Sequence, residues 1–84
     1  MKELSLKDVS LARPYRVYSL ERGLHLLEVL AEGAPEKSLT EVSQKSGFNL
    51  STTHRILTTL KYRGYVRQNG STSKYRLTFK LFEL

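Results

Sequence analysis

Two helix-forming segments separated by only three residues constrain this chain most. Ser38-Leu39-Thr40-Glu41 has the form of a capping box, a serine with a glutamate three positions on. It predicts a short helix over Leu39–Ser46 that ends at Gly47. Asn49, after Phe48, is a good N-cap for a further helix over about Leu50–Arg63, closed by Gly64. A connection this short, with a glycine in it, is what a helix-turn-helix requires.

The segments on either side complete an architecture. Ser19 suits an N-cap and Glu21 suits a first turn, so a helix is expected over about Leu20–Glu32. Its apolar stripe is Leu20, Leu24, Leu27 and Ala31, widened by Leu26 and Leu30, with Gly33 as C-cap and Pro35 as a stop. After Gly64 the apolar period changes from 3.6 to 2. Tyr65–Gln68 and Ser73–Leu77 read as strands, joined by Asn69-Gly70-Ser71-Thr72, a flexible tip rich in turn formers. From Thr78 the pattern Phe79, Leu81, Phe82, Leu84 starts another helix. The predicted fold class is mainly α with a small β-hairpin, a winged helix-turn-helix. Residues 1–18 form an N-terminal arm, 19–77 the winged domain, and 78–84 the start of the next helix. Within the arm, Pro14 biases Arg13 toward extended geometry.

Charge indicates the partner. The 84 residues carry a net charge of +6, unevenly spread. Residues 1–42 hold six Lys/Arg against seven Asp/Glu, whereas residues 43–84 hold eight against Glu83 alone. A polyanion is the natural partner of the second half, nucleic acid foremost. The absence of cysteine removes disulfides, thiolate catalysis and Cys-based zinc sites, and His25 and His54 lie too far apart in sequence to build a metal motif. No run is long enough to span a membrane, and Met1–Ser10 lacks the apolar core of a signal peptide, so the cytoplasm is the expected compartment. No cofactor and no metal are expected.

The predicted helix after Asn49 carries the chemistry. At 100° steps Thr53, Ile56, Leu57 and Leu60 share the buried sector. Ser51, Arg55, Thr58 and Tyr62 fall opposite, with Thr52 and Thr59 on one flank and His54 and Lys61 on the other. Five Ser/Thr among residues 51–59 are costly on a merely solvated helix, each forfeiting roughly 0.5 kcal/mol of propensity. Such violations gather at functional sites. Small hydroxyls let a helix approach base edges closely, and arginine offers a fork to guanine. The helix is therefore expected in the major groove, with Ser51, Thr52, His54 and Arg55 foremost. Asn49, Thr53 and Thr58, together with Ser38 and Thr40 at the start of the preceding helix, complete its part of the candidate DNA-binding set. Arg67, Lys74 and Arg76 on the wing are expected to grip the backbone or minor groove, and Arg13 and Arg16 to reach a minor groove from the arm. His25 reads as a surface or boundary residue. Ser51 and His54 lack an orienting carboxylate and an oxyanion site, so no catalytic residues are assigned and no enzyme is expected. Gly64 and Gly70 are turn residues outside any phosphate-loop signature.

Several runs carry a family resemblance. Ser19-Leu20-Glu21-Arg22-Gly23-Leu24-His25-Leu26-Leu27-Glu28-Val29-Leu30-Ala31 resembles the start of the IclR-type bacterial transcriptional regulators. So do Leu39-Thr40-Glu41-Val42, Ser46-Gly47-Phe48, Ser51-Thr52-Thr53-His54-Arg55-Ile56-Leu57, Thr59-Leu60, Gly64-Tyr65-Val66 and Tyr75-Arg76-Leu77, with Leu81 and Leu84 at the later spacing. The resemblance covers about Ser19–Leu84. It implies the N-terminal DNA-binding domain of a ligand-responsive regulator, a linker helix beginning in residues 78–84, and a larger C-terminal effector domain. It also implies dimers or higher oligomers acting on palindromic operators. The chain is then either an excised domain or a short stand-alone regulator, and its ending inside the linker segment favours the first. It departs from the family pattern at Leu50, where Lys or Arg is common, and at Thr78, where Gly is common.

Three other readings compete. A winged helix that binds an acidic protein partner would use an exposed apolar patch rather than the hydroxyl-rich face. A small hydrolase on Ser51 and His54 lacks its remaining parts. Double-stranded RNA has a deep, narrow major groove that does not admit a recognition helix.

Overall fold

The computed structural model describes residues 16–84. Arg13 and most of the expected arm lie outside the described residues. The first helix, α1 (Tyr18–Ala31), starts earlier than Ser19 predicts. Val17 is its N-cap, without a side-chain hydrogen bond; the Glu21 N–H donates to the Val17 carbonyl at 3.0 Å, and Arg16 lies 3.5 Å from the Glu21 carboxylate. Ser19 thus sits inside the first turn instead of capping it. At the other end Glu32 is the C-cap, and Gly33, at φ +66°, takes the left-handed position just after it.

The buried face of α1 is Leu26, Val29 and Leu30. Leu20 and Leu24, the first two positions of the expected stripe, are 60% and 50% exposed. Periodicity identified an amphipathic helix, but which side faces the core depends on the helices it meets.

Helix α2 (Leu39–Ser46) has the predicted bounds and both halves of its capping box. Ser38 Oγ accepts from the Glu41 N–H at 3.1 Å, and Glu41 Oε1 accepts from the Ser38 N–H at 3.0 Å. Gly47 closes the helix at φ +82°. Helix α3 (Leu50–Tyr62) opens on Asn49, whose Oδ1 accepts from the Thr52 N–H at 2.8 Å, and it ends one residue short of prediction, with Arg63 as the cap. The intervening turn is tied by Ser43 Oγ, which donates to the Phe48 carbonyl at 2.6 Å.

The Ser38 backbone N–H holds the Glu41 carboxyl below the ordinary glutamate range, partly opposed by desolvation and reinforced by the Ser38 hydroxyl, Lys74 and Lys45. A lowered folded-state value means that this contribution to stability is present above the unfolded value and is lost as pH falls through the lowered one. The melting-temperature gap between the wild type and Glu41→Gln, which keeps an acceptor but not the charge, is therefore expected to be widest near neutrality and to close in acid. A gap undiminished in acid would remove the charge from the account.

The wing pairs β1 (Val66–Gln68) with β2 (Tyr75–Leu77) antiparallel, in the register Val66↔Leu77, Arg67↔Arg76 and Gln68↔Tyr75. Both strands are shorter than predicted. The Tyr65 N–H is drawn into closing α3, donating to the Leu60 carbonyl, while Ser73 adopts φ +64°. Lys37 adds a single antiparallel bridge on the other edge of β2: its N–H donates to the Tyr75 carbonyl at 2.9 Å, and the Tyr75 N–H returns a bond at 2.8 Å. Leu26, Val29, Leu30, Val42, Leu57, Val66 and Tyr75 form one core, with Ile56, Leu60 and Phe48 packed on its edge.

Residues 79–83 form a 3-10 helix rather than the start of an α-helix. Thr78 explains how the chain leaves the wing without a glycine. Its hydroxyl donates to the Gly64 carbonyl at 2.7 Å and accepts from the Lys80 N–H at 3.2 Å. Lys80 Nζ reaches the Arg63 carbonyl at 2.6 Å and lies over the Tyr65 ring. Among the described residues no helix is long and apolar enough to cross a membrane.

Candidate nucleic-acid interface

The three-residue turn presents α3 with one side toward the core and the other toward solvent. Ser51, His54, Arg55 and Thr58 are exposed. The spacing of Ser51, Arg55 and Thr58 places them on one side, adjoining exposed Asn49 at the helix start. Thr52 is half-buried, toward α1.

Thr53 lies in the buried sector, as its spacing predicts, and its place in the candidate DNA-binding set is corrected. It is fully buried, and its hydroxyl donates to the Asn49 carbonyl at 2.8 Å, so it braces the first turn of α3 and offers nothing to an external ligand. Thr59 is exposed but likewise bonds inward, donating to the Arg55 carbonyl at 3.0 Å. Local backbone bonding of this kind is a common use of threonine within a helix. Two of the five hydroxyls that made α3 look anomalous are thereby explained without a partner. Ser51, Thr52 and Thr58 carry what is left of that argument.

At the start of α2, Thr40 is exposed, whereas the Ser38 hydroxyl is committed to its cap. The Glu41 carboxylate already occupies the electropositive end of that helix. On the wing, Arg67, Lys74 and Arg76 are exposed, and Arg67 and Arg76 stand directly opposite each other. The tip is not the loose segment its composition suggests. Asn69 Oδ1 accepts from the Ser71 and Thr72 N–H groups at 2.7 and 3.1 Å, and the Ser73 N–H donates to the Asn69 carbonyl at 2.8 Å. An asparagine that rebuilds a backbone turn with its side chain is the reason.

Three residues with a part in the site escaped the sequence reading. Lys61 Nζ donates to Gln68 Oε1 at 3.0 Å, and Gln68 Nε2 donates to the Ser73 carbonyl at 3.0 Å, a strut from α3 to the wing turn. Lys37 is only 1% exposed; its Nζ donates to the Leu30 and Ala34 carbonyls at 3.0 and 2.6 Å, capping the end of α1 while its backbone holds β2. No local pattern marks these contacts, which join residues distant in sequence or turn a polar side chain inward. His25 is a boundary residue, as expected. Its Nε2 lies 3.2 Å from the Ser46 carbonyl, and its ring meets Phe48 edge-on at 5.5 Å.

Three helices, a three-residue turn before the third, and a basic two-stranded wing define a winged helix-turn-helix of the DNA-binding class. The profile of the IclR helix-turn-helix domain matches residues 19–70, and the chain belongs to that family. It is 42% identical over 67 residues to the HTH-type transcriptional regulator XynR of Escherichia coli, covering 80% of this chain and 27% of that protein. It is 47% identical over 62 residues to the transcriptional repressor IclR of the same organism, covering 74% of this chain and 23% of that protein. The crystal structure of Pseudomonas aeruginosa HmgR superposes with a TM-score of 0.75 at 34% identity, over 80% of this chain and 28% of the other. The chain thus spans about a quarter of the length of these relatives.

Proposed function

We propose that this domain reads a specific double-stranded DNA sequence as the DNA-binding part of a cytoplasmic, ligand-responsive transcriptional regulator. Helix α3 lies in the major groove, Ser51, His54 and Arg55 meet base edges, and Asn49, Thr52 and Thr58 flank them. Thr40 at the start of α2, with Arg67, Lys74 and Arg76 on the wing, grips the backbone. Arg16, exposed beside α1, extends the basic surface. The observation that carries this reading is the exposed, acid-free side of α3 set beside a basic wing. Sequence selectivity then comes from α3 and salt-dependent affinity from the wing.

A homo-oligomer on a palindromic operator completes the proposal. Leu20, Leu24, Leu27, Ile56, Leu81 and Leu84 line an apolar groove of about 580 Å³ between α1, α3 and the C-terminal turn. Phe79, Phe82 and Leu84 are each more than three-quarters exposed. Apolar surface of this kind is what a further part of a larger protein, or a second copy, covers. Selection from random duplexes is the test. Recovery of an inverted repeat with half-sites about one helical turn apart, roughly 34 Å, supports both parts of the reading. A single recovered half-site removes the palindrome, and no enrichment removes sequence-specific binding.

Lys74→Ala is expected to weaken binding evenly across sequences and to lower the salt slope by about 1, the mark of a lost phosphate contact. An unchanged slope would make that end of the wing a solvated hairpin.

A further inference from the structure

From Val42 to Phe82 the sequence holds no carboxylate, so the wing reads as uniformly basic. The fold changes that. Antiparallel pairing of Lys37 with Tyr75 lays the residue before it along β2. Glu36 Oε2 comes within 4.0 Å of Arg76 Nη1 and 3.4 Å of Asn69 Nδ2. The strand register sets Arg67 opposite Arg76, on the face turned away from the core residues Val66 and Tyr75. Two guanidinium groups facing each other across a ladder repel, and a carboxylate beside them relieves the repulsion. Glu36, Arg67 and Arg76 border one shallow depression with Asn69 and Gly70. The Arg76 side chain keeps 48% of its exposure and Glu36 28%, so an incoming anion can reach both.

We propose that the Glu36 carboxylate occupies, in the free domain, the place that a DNA phosphate takes in the complex, so that the wing docks by exchanging one anion for the other at Arg76. The inference rests on the duplex-binding reading above and adds a residue that restrains it. A half-exposed ion pair is weak and screened, so it holds the arginine without locking it. A polyanion displaces the carboxylate because it offers many phosphates at once. After displacement the Glu36 charge still lies within a Debye length of about 8–10 Å of those phosphates and opposes them. Glu36 therefore lowers the affinity of the wing and conceals part of its salt dependence.

Glu36→Gln in the 84-residue chain tests this, since the amide keeps an acceptor for Asn69 and removes only the charge. The probe is a mixed-sequence duplex of about two helical turns, because a phosphate contact carries no sequence information. The expected result is binding several-fold tighter than wild type and a salt slope steeper by about 1. Arg76→Gln should also cost more in the Glu36→Gln background than in the wild type, because without Glu36 the arginine gives up no partner on binding. Glu28→Gln makes the same charge change on exposed α1; an equal gain there would reduce the effect to net charge and overturn the proposal. Unchanged affinity and slope for Glu36→Gln, with Arg55→Ala still weakening binding to the selected duplex, would overturn it while leaving the duplex reading intact. Loss of all duplex binding by the wild type would instead overturn that reading, and this proposal with it. Urea midpoints establish that each variant is folded, and Glu36→Ala provides a second removal of the charge.

Discussion

Arg55→Ala is expected to weaken binding to the selected duplex by about 1–3 kcal/mol and to relax the preference at one base step. Arg55 is exposed on the solvent side of α3, one turn after Ser51 and one turn before Thr58 and Thr59. Among the described residues its guanidinium makes no hydrogen bond, and beyond the helix ladder its carbonyl accepts from the Thr59 hydroxyl. Truncating the side chain therefore leaves the helix intact, and stability should shift by no more than roughly 0.5 kcal/mol. Affinity and folding are separable at this position, which makes it the sharpest probe of α3. Titrations on the selected site and on each single-base variant distinguish the outcomes. A loss confined to one position identifies a base contact, and an equal loss on every sequence identifies a phosphate contact. No loss at low salt would mean that α3 is not the reading element.

Lys37→Met is expected to destabilise the fold by on the order of 3 kcal/mol. The methionine preserves length and apolar volume but cannot donate to the Leu30 and Ala34 carbonyls. Hydrogen bonds from a charged donor contribute about 1.5–3 kcal/mol each, and part of the loss is offset because no ammonium need then be buried. A domain of this size has a total stability of roughly 4–12 kcal/mol, so the change should be plain in urea unfolding. A methionine variant as stable as the wild type would show that the ammonium contributes no net stability at the end of α1. The expected defect reaches the wing as well, because the same residue bridges to Tyr75 through its backbone.

The sequence by itself determined the features whose causes are local. The Ser38–Glu41 box, Gly47 and Asn49 specify where α2 and α3 begin and how sharply the chain turns between them, and the structure has these features at those residues. Capping is legible because each partner lies within four residues of the group it satisfies. The change of apolar period after Gly64 likewise marks the wing. The burial of Thr53 and most exposed positions of α3 also followed from spacing, whereas the bonds of the Thr53 and Thr59 hydroxyls to their own helix did not.

Only the tertiary structure decided matters that depend on what a residue meets across the fold. It turned Leu26, Val29 and Leu30 of α1 inward and left Leu20 and Leu24 on the groove. It buried Lys37, a residue whose type predicts exposure, because the Leu30 carbonyl at the end of α1 and the Ala34 carbonyl in the turn after it accept from its ammonium. It also carried Glu36 from the acidic half of the chain to the arginines of the basic half. Composition and periodicity describe each segment against an average solvent, whereas packing sets particular groups against one another at a few ångströms. At that range a single hydrogen bond or ion pair outweighs the average.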